Sequence, residues 1–169
     1  MTDFCTRYLP EGDLINSPEN KQATATITAL MQAKEEGRLL EGRAVRCDVD
    51  HNLYVKLPCG EGIIPHAEGA LGIAEGVTKD IVLITRVNKP VCFVVTGFRH
   101  TEEGCRPILS RRIAQQRCRE EFLDRLQPGD VIPARITRLE TFGAFCDIAD
   151  GHFVTCWNLH IGGYSYSAF

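Results

Sequence analysis

The sequence predicts a mainly β protein with helices: a small closed barrel of five strands, an N-terminal helix, a linker helix and an incomplete second barrel. Three observations support this fold class. Short β-rich runs follow one another between residues 40 and 110, with no long helix between them. A strand–turn–strand unit at 40–60 recurs at 128–151. Helical periodicity is found in two stretches, 17–37 and 111–126.

Composition sets broad limits on the class of protein. The chain has 169 residues, of which 44% are hydrophobic and 24% charged, as in ordinary globular domains. No apolar run is long enough to cross a bilayer, and the first residues do not resemble a signal peptide. We therefore expect a cytoplasmic protein. Its domains are predicted to be a leader and helix at 1–38, a first barrel at 39–112, a linker helix at 113–126 and a partial second barrel at 127–169.

The N-terminal segment is predicted to contain a loose leader followed by one helix. Residues 1–16 show little periodicity and read as extended. Ser17 is a typical N-cap, and Pro18 suits the first helical position. An apolar stripe then follows at helical spacing, formed by Ala23, Ile27, Leu30 and Met31. Gly37 is predicted to end the helix.

Alternation of apolar and polar residues predicts the strands of the first barrel. In Leu53–Leu57, the alternation directs Tyr54 and Lys56 outward. The other predicted strands are the run from Leu40 to Val49, Gly62–Pro65, Asp80–Arg86, Val91–Phe98 and Arg106–Ser110. The linker helix follows, with an apolar stripe of Ala114, Cys118, Phe122 and Leu126.

An internal repeat links the two predicted barrels. An offset of 91 residues aligns Val45 with Ile136 and Gly60 with Gly151. It also aligns Asn52 with Gly143, which predicts a turn of positive φ at Asn52. On the second copy, alternation places Ala144, Cys146 and Ile148 on one face and Phe145 and Asp147 on the other. The remaining residues, 152–169, offer no pattern to match the last two strands of the first copy.

The run Gly-Asp-Val-x-x-Ala-x-Ile-x-x-Leu-x-x-Phe-Gly-Ala-Phe-x-Asp-Ile at 129–148 resembles the opening of an S1 RNA-binding domain. This is the OB-fold module found in bacterial 30S ribosomal protein S1. The first copy is similar to the same family through Glu41-Gly42, Tyr54-Val55, Glu61-Gly62-Ile63-Ile64 and Ile108-Leu109-Ser110-Arg111. The resemblance implies a five-stranded OB-fold barrel of S1 type and a second S1 domain that is truncated.

The resemblance also implies a nucleic-acid-binding face. Family members stack bases on the two aromatics of a Phe-Gly-x-Phe turn, and use a histidine and basic residues near the last strand for the backbone. Carried onto this chain, the implied nucleic-acid-binding residues are His51, Tyr54, Lys56, His66, Arg111, Arg112, Phe142 and Phe145. Because the second copy is the less complete, we expect the working face to lie in the first barrel.

Charge and cysteine content restrict the chemistry. Net charge is −3, but residues 86–125 contain nine Lys or Arg against five Asp or Glu, which favours a local anionic contact. The eight cysteines are scattered without zinc-ligand spacing, so we expect small buried thiols rather than a metal centre. No catalytic motif is present in the sequence. We therefore predict a protein that is not an enzyme and has no cofactor and no metal.

The sequence leaves three functions open. The first is binding of single-stranded RNA, as mRNA or rRNA, with a role in translation and association with the ribosome. The second is a protein-interaction module, since OB barrels also bind proteins. The third is a fragment of a longer two-barrel protein. The edges of the incomplete barrel also predict a strand-exchanged dimer. No membrane contact is expected.

Overall fold

The computed structural model describes residues 8–157, which form a mixed α/β structure with a five-stranded sheet and a second, three-stranded sheet. The first sheet contains β1 Leu40–Cys47, β2 Leu53–Leu57, β3 Gly60–Ile64, β4 Pro90–Thr101 and β5 Gly104–Ser110. The second contains β6 Arg135–Glu140, β7 Gly143–Ala149 and β8 His152–Trp157. The helices are α1 Pro18–Thr24, α2 Ile27–Glu35, α3 Ile81–Ile84 and α4 Arg111–Glu121, with 3-10 turns at His66–Glu68 and Leu123–Arg125.

The first sheet curls until its strand order, β1-β2-β3-β5-β4, returns to β1. Its closure is weak at one point, because β3 and β5 meet through a single parallel pair, Ile63 and Ile108. The five strands are therefore not a clean barrel. The inward residues form an apolar core, in which Leu53, Val55 and Leu109 are fully buried.

Two helices, rather than the single predicted one, precede the first sheet. The N-cap prediction is confirmed, since the Ser17 side chain accepts a hydrogen bond from the backbone N–H of Asn20. The chain leaves the helix after Thr24. Thr26 then caps α2 by accepting from the N–H of Ala29. A second capping side chain inside the periodic run explains the break, because threonine competes well as an N-cap.

The predicted strand at Asp80–Arg86 is wrong. Residues Ile81–Ile84 form the short helix α3. Leu83 is fully buried, whereas Ile81 and Ile84 are exposed. A short run of branched apolar residues fits either a strand or a buried helical turn, and here tertiary packing of Leu83 decides.

The part of the leader that the structure describes is not loose. In residues 8–16, Tyr8 and Glu11 are buried, and the Tyr8 ring stacks on Phe122 with centroids 6.1 Å apart. The backbone N–H of Glu11 donates to Asp147 Oδ2 at 3.0 Å. The leader therefore packs between the first sheet, the linker helix and the second sheet.

The second sheet is a meander of three antiparallel strands in the order β6-β7-β8. Strand β8 was not expected from the sequence; it pairs with β7 as β3 pairs with β2. Ala144 and Cys146 are buried as predicted, but Asp147 is buried too and Ile148 is half-buried. A register shift between Asp147 and Ala149 breaks the alternation, and the leader covers Asp147.

Within residues 8–157, none of the helices is long and apolar enough to cross a membrane.

Candidate nucleic-acid interface

Tyr54 lies on the outer face of β2, where two arginines flank its ring. The Cζ atom of Arg46, from β1, lies 3.3 Å from the ring centroid, and that of Arg106, from β5, lies 5.8 Å away. A guanidinium at such distances makes a cation–π contact. Nucleic-acid bases stack on aromatic rings and on guanidinium planes alike. The three side chains together form a surface on which a base can stack.

The same face carries an excess of positive charge. The strand register aligns Arg43 with Lys56 and Lys56 with Glu61, and directly opposed residues point to one side of a sheet. Glu61 is the acid of this group, and its Oε1 lies 2.9 Å from Arg46 and 3.9 Å from Arg106. Arg106 Nη2 also lies 3.4 Å from Glu103 Oε2. Four cations thus accompany two carboxylates, and the excess of positive charge attracts phosphate groups.

An apolar strip crosses the middle of the face. Tyr54 lies opposite Ile63 on β3, and Ile63 lies opposite Ile108 on β5. Both isoleucines are half-buried. Apolar side chains next to a stacking ring can contact base edges and sugars without forming a charge pair. The face therefore combines stacking, apolar and cationic groups.

Asp48 organises the turn that leads into β2. Its Oδ1 accepts the backbone N–H groups of Asp50 and Asn52 at 3.0 and 2.8 Å, and its Oδ2 accepts the Tyr54 hydroxyl at 3.2 Å. Asp48 Oδ2 also accepts a hydrogen bond from the Asn52 side chain. This bond first, and then the others, hold the pKa of Asp48 below its usual value. The predicted positive φ at Asn52 is wrong. With Asn52 fixed by Asp48, the left-handed residue is His51, at φ +60°.

His51 and His66, both predicted to bind nucleic acid, lie beside an acid that the sequence did not indicate. The Asp80 carboxylate lies 2.7 Å from His66 Nε2 and 3.5 Å from His51 Nδ1. The two imidazole centroids are 5.8 Å apart. The pKa of Asp80 is lowered, first by its hydrogen bond with His66 and then by the charges of the two histidines. The carboxylate disfavours a phosphate at this point.

Arg111 was predicted to contact nucleic acid, and its position contradicts this. Its side chain is 1% exposed and pairs with Glu11, which is 2% exposed. Its Nη1 also donates to the carbonyl oxygen of Gly69 at 3.3 Å. A guanidinium that is buried and already paired cannot reach a ligand at the surface. Arg111 is therefore not part of the exposed face.

Arg112 occupies the surface next to it. Its Nε and Nη2 donate to Glu68 Oε1 at 3.2 and 2.9 Å, and a third of its side chain is exposed. The same Glu68 accepts a hydrogen bond from Ser110. Arg112 is thus accessible but partly neutralised, so that its contact with RNA stays a prediction.

Phe142 and Phe145 lie together in the second hairpin: Phe142 is in the turn before β7 and Phe145 is on β7. Their rings meet edge to face with centroids 6.4 Å apart, and Phe142 is 44% exposed. Arg138 on β6 is directly opposite Phe145. The second hairpin therefore repeats the pairing of an aromatic with an arginine that Tyr54 and Arg46 make in the first.

Three residues of this region were not predicted as site residues. Arg46 follows from the alternation in β1, which places it outward in register with Tyr54. Arg106 belongs to the basic middle of the sequence, but only the pairing of β5 with β3 brings it near Tyr54. Asp80 carried no local signal, because its segment was predicted as a strand. No protein-family model matches the chain, and no curated protein matches it either.

Proposed function

We propose that this protein binds single-stranded RNA through the outer face of β1, β2, β3 and β5. The observation that carries the proposal is the group of Tyr54, Arg46 and Arg106, with Lys56 and Arg43 on the same face. Aromatic rings beside a positively charged track are the usual means of binding single strands without reading their sequence.

The strand order supports an S1-type OB fold as the framework. An OB fold is a partly open five-stranded barrel that binds oligonucleotides on its second and third strands. Here the order β1-β2-β3-β5-β4 and the incomplete seam between β3 and β5 are compatible with that description. Tyr54 and Lys56 lie on the second strand. The proposed role in translation, on mRNA or rRNA in the cytoplasm, rests on the resemblance of the two repeats to S1 domains.

The proposed complex uses stacking for contact and cations for attraction. A base stacks on Tyr54 in place of Arg46, or continues the stack on the exposed side of the Arg46 guanidinium. Phosphates approach Lys56 and Arg106. Each stacked base contributes about 1–3 kcal/mol. One stacking centre with a few cations therefore gives a dissociation constant of micromolar order or weaker, and affinity falls steeply with salt.

The experiment is a fluorescence-anisotropy titration of a labelled single-stranded RNA at several salt concentrations. We expect the wild type to bind with a clear salt dependence, and the double variant Tyr54→Ala with Lys56→Ala to lose most of the binding. Arg119→Ala is the matched control, because Arg119 is an exposed cation on α4, outside the proposed face. A double variant that binds RNA as the wild type does would overturn the proposal.

A second candidate function is association of two copies through the second sheet. It is favoured by exposed apolar side chains on that sheet: Leu139 is 59% exposed, Ile136 46% and Val154 37%. Ile136 and Val154 both lie opposite Cys146 in register, so they share a face. Strands β6 and β8 are the outer strands of the described sheet. These features fit the strand-exchanged dimer expected from the sequence.

A further inference from the structure

Three metal-ligating side chains meet at the end of the first sheet where β2 begins and β3 ends. His51 comes from the turn between β1 and β2, His66 from the 3-10 turn after β3, and Asp80 from the residue before α3. One ligand atom from each lies within 4.8 Å of the other two. All three side chains remain accessible, with exposed fractions between 34% and 46%.

We propose that His51, His66 and Asp80 bind a divalent transition-metal ion of the zinc class. Two imidazoles and one carboxylate are a donor set that suits zinc, and three protein ligands leave one position of a tetrahedral ion for water. The proposal does not depend on RNA binding. The three ligands lie at the end of the first sheet, at the turn between β1 and β2 in which Asp48 accepts the Tyr54 hydroxyl.

The spacing of the ligand atoms requires only a small adjustment. In a tetrahedral zinc site with bonds of about 2.0–2.1 Å, neighbouring ligand atoms lie roughly 3.3–3.4 Å apart. His51 Nδ1 and Asp80 Oδ2 already lie 3.5 Å apart. His66 Nε2 and Asp80 Oδ1 are closer, at 2.7 Å, as in a hydrogen bond that the ion would replace. The ligand atoms all lie within 4.8 Å of one another, so a tetrahedral site requires changes of at most about 1.5 Å in their separations.

The backbone around the three ligands is held in place by other residues. The Asn52 side chain accepts the backbone N–H of His66 at 3.0 Å, which ties the turn of His51 to that of His66. Asp48 fixes the same turn through the N–H of Asn52. His51 itself has a left-handed backbone, which non-glycine residues adopt rarely and mostly where the surroundings impose it. Such support keeps ligands oriented before an ion arrives.

Asp80 is oriented towards the histidines rather than towards its own helix. An aspartate before a helix ordinarily accepts a hydrogen bond from the first turn. At α3 the Asp80 side chain makes no such capping bond. Its carboxylate instead contacts both imidazoles. This arrangement places a carboxylate between two imidazole rings, which suits a cation and opposes an anion.

The test is a titration of the full chain with Zn²⁺, measured by isothermal calorimetry, on the wild type and on three variants. His51→Asn keeps a residue that tolerates positive φ, and His66→Gln and Asp80→Asn preserve side-chain size. We expect one equivalent of Zn²⁺ to bind the wild type, and each variant to bind it at least about tenfold more weakly. His100→Gln is the matched control, because His100 is an exposed histidine on β4, and it should bind as the wild type does.

Substitution of Co²⁺ for Zn²⁺ distinguishes the proposed site from zinc bound by cysteines. Co²⁺ at a site of two imidazoles and a carboxylate gives weak d–d bands without a thiolate charge-transfer band, and these bands should be absent in His66→Gln. Circular dichroism checks that each variant is folded, and at equal concentrations Zn²⁺ should raise the unfolding temperature of the wild type more than that of a folded Asp80→Asn. Binding that survives in all three variants, a dominant thiolate band, or no binding by the wild type would each overturn the proposal.

Discussion

Glu11 and Arg111 form a buried, two-point ion pair although they lie 100 residues apart. Arg111 Nε donates to Glu11 Oε1 at 2.6 Å, and Nη2 donates to Oε2 at 2.8 Å. The backbone N–H of Cys92 adds a third bond to Glu11 at 3.0 Å. The pair therefore joins the leader to β4 and to the start of α4. Gly151 of the second sheet, at φ +74°, lies so close that a Cβ there would collide with both side chains.

The surroundings of the pair favour the charged form of Glu11. Burial alone would raise the pKa of Glu11, but the charge and hydrogen bonds of Arg111 and the N–H of Cys92 outweigh it and lower the pKa. A carboxylate and a guanidinium that are both removed from water depend on each other, because the loss of one leaves the other as a poorly compensated buried charge; for Glu11 only Arg86, at 3.5 Å, would remain as a cation.

Arg111→Met should strongly destabilise the protein, because it leaves the buried Glu11 carboxylate with only the more distant cation of Arg86, whose Nη1 lies 3.5 Å from Glu11 Oε2. We expect a loss of about 3–5 kcal/mol in the free energy of unfolding, measured by urea denaturation. Arg112→Met is the matched control. It removes a partly exposed pair with Glu68 and should cost at most about 1 kcal/mol. Equal effects of the two substitutions would contradict the buried role of Arg111.

Asp150 should make the fold less stable as pH rises. It is fully buried, and within the described residues neither carboxylate oxygen has a hydrogen-bond partner. Burial, with the charges of Glu11, Glu41 and Asp147, raises its pKa from 3.8 to about 8. The folded state thus binds this proton more tightly than the unfolded chain does. The stability it contributes is complete below the unfolded pKa and is lost as pH rises towards 8, by about 1 kcal/mol per pH unit.

The measurement for Asp150 compares urea unfolding of the wild type and of Asp150→Asn between about pH 5 and 8. Asparagine tolerates the left-handed backbone of this position, at φ +46°. The difference in stability between the two proteins should change with pH in favour of the variant as pH rises, whereas the exposed Asp124→Asn should show no such trend. A difference that is constant with pH would refute the raised pKa.

The second sheet should mediate self-association. Leu139→Glu places a charge on a strand whose apolar side chains are exposed, and it should convert a dimer into a monomer at high protein concentration in sedimentation-velocity experiments. Val131→Glu is the control, because Val131 is 90% exposed and lies outside the strands. A wild type that remains monomeric at high concentration would exclude this dimer.

The sequence predicted the structural features that depend on local patterns of residues. Ser17 caps α1 as predicted, and Tyr54 and Lys56 face outward because β2 alternates regularly. The repeat also located the second hairpin, whose strands β6 and β7 the structure contains.

Contacts between residues far apart in the chain determine the features that the sequence did not predict. Arg111 and Arg112 are adjacent and chemically identical, yet one is buried because Glu11 lies opposite it and the other is not. Asp80 approaches His51 and His66 only because Ile81–Ile84 folds as a helix under the packing of Leu83. Asp147 was expected to face solvent, and the leader that covers it had no periodicity from which its packing could be predicted.

The most direct test of the proposed RNA-binding face compares Tyr54→Ala with Phe145→Ala in parallel titrations of one labelled single-stranded RNA. If the first sheet is the working face, Tyr54→Ala lowers affinity by about fivefold or more, in line with the loss of about 1–3 kcal/mol per stacked base, and Phe145→Ala has a smaller effect. Circular dichroism verifies that both variants are folded. Wild-type affinity in a folded Tyr54→Ala variant would contradict the assignment.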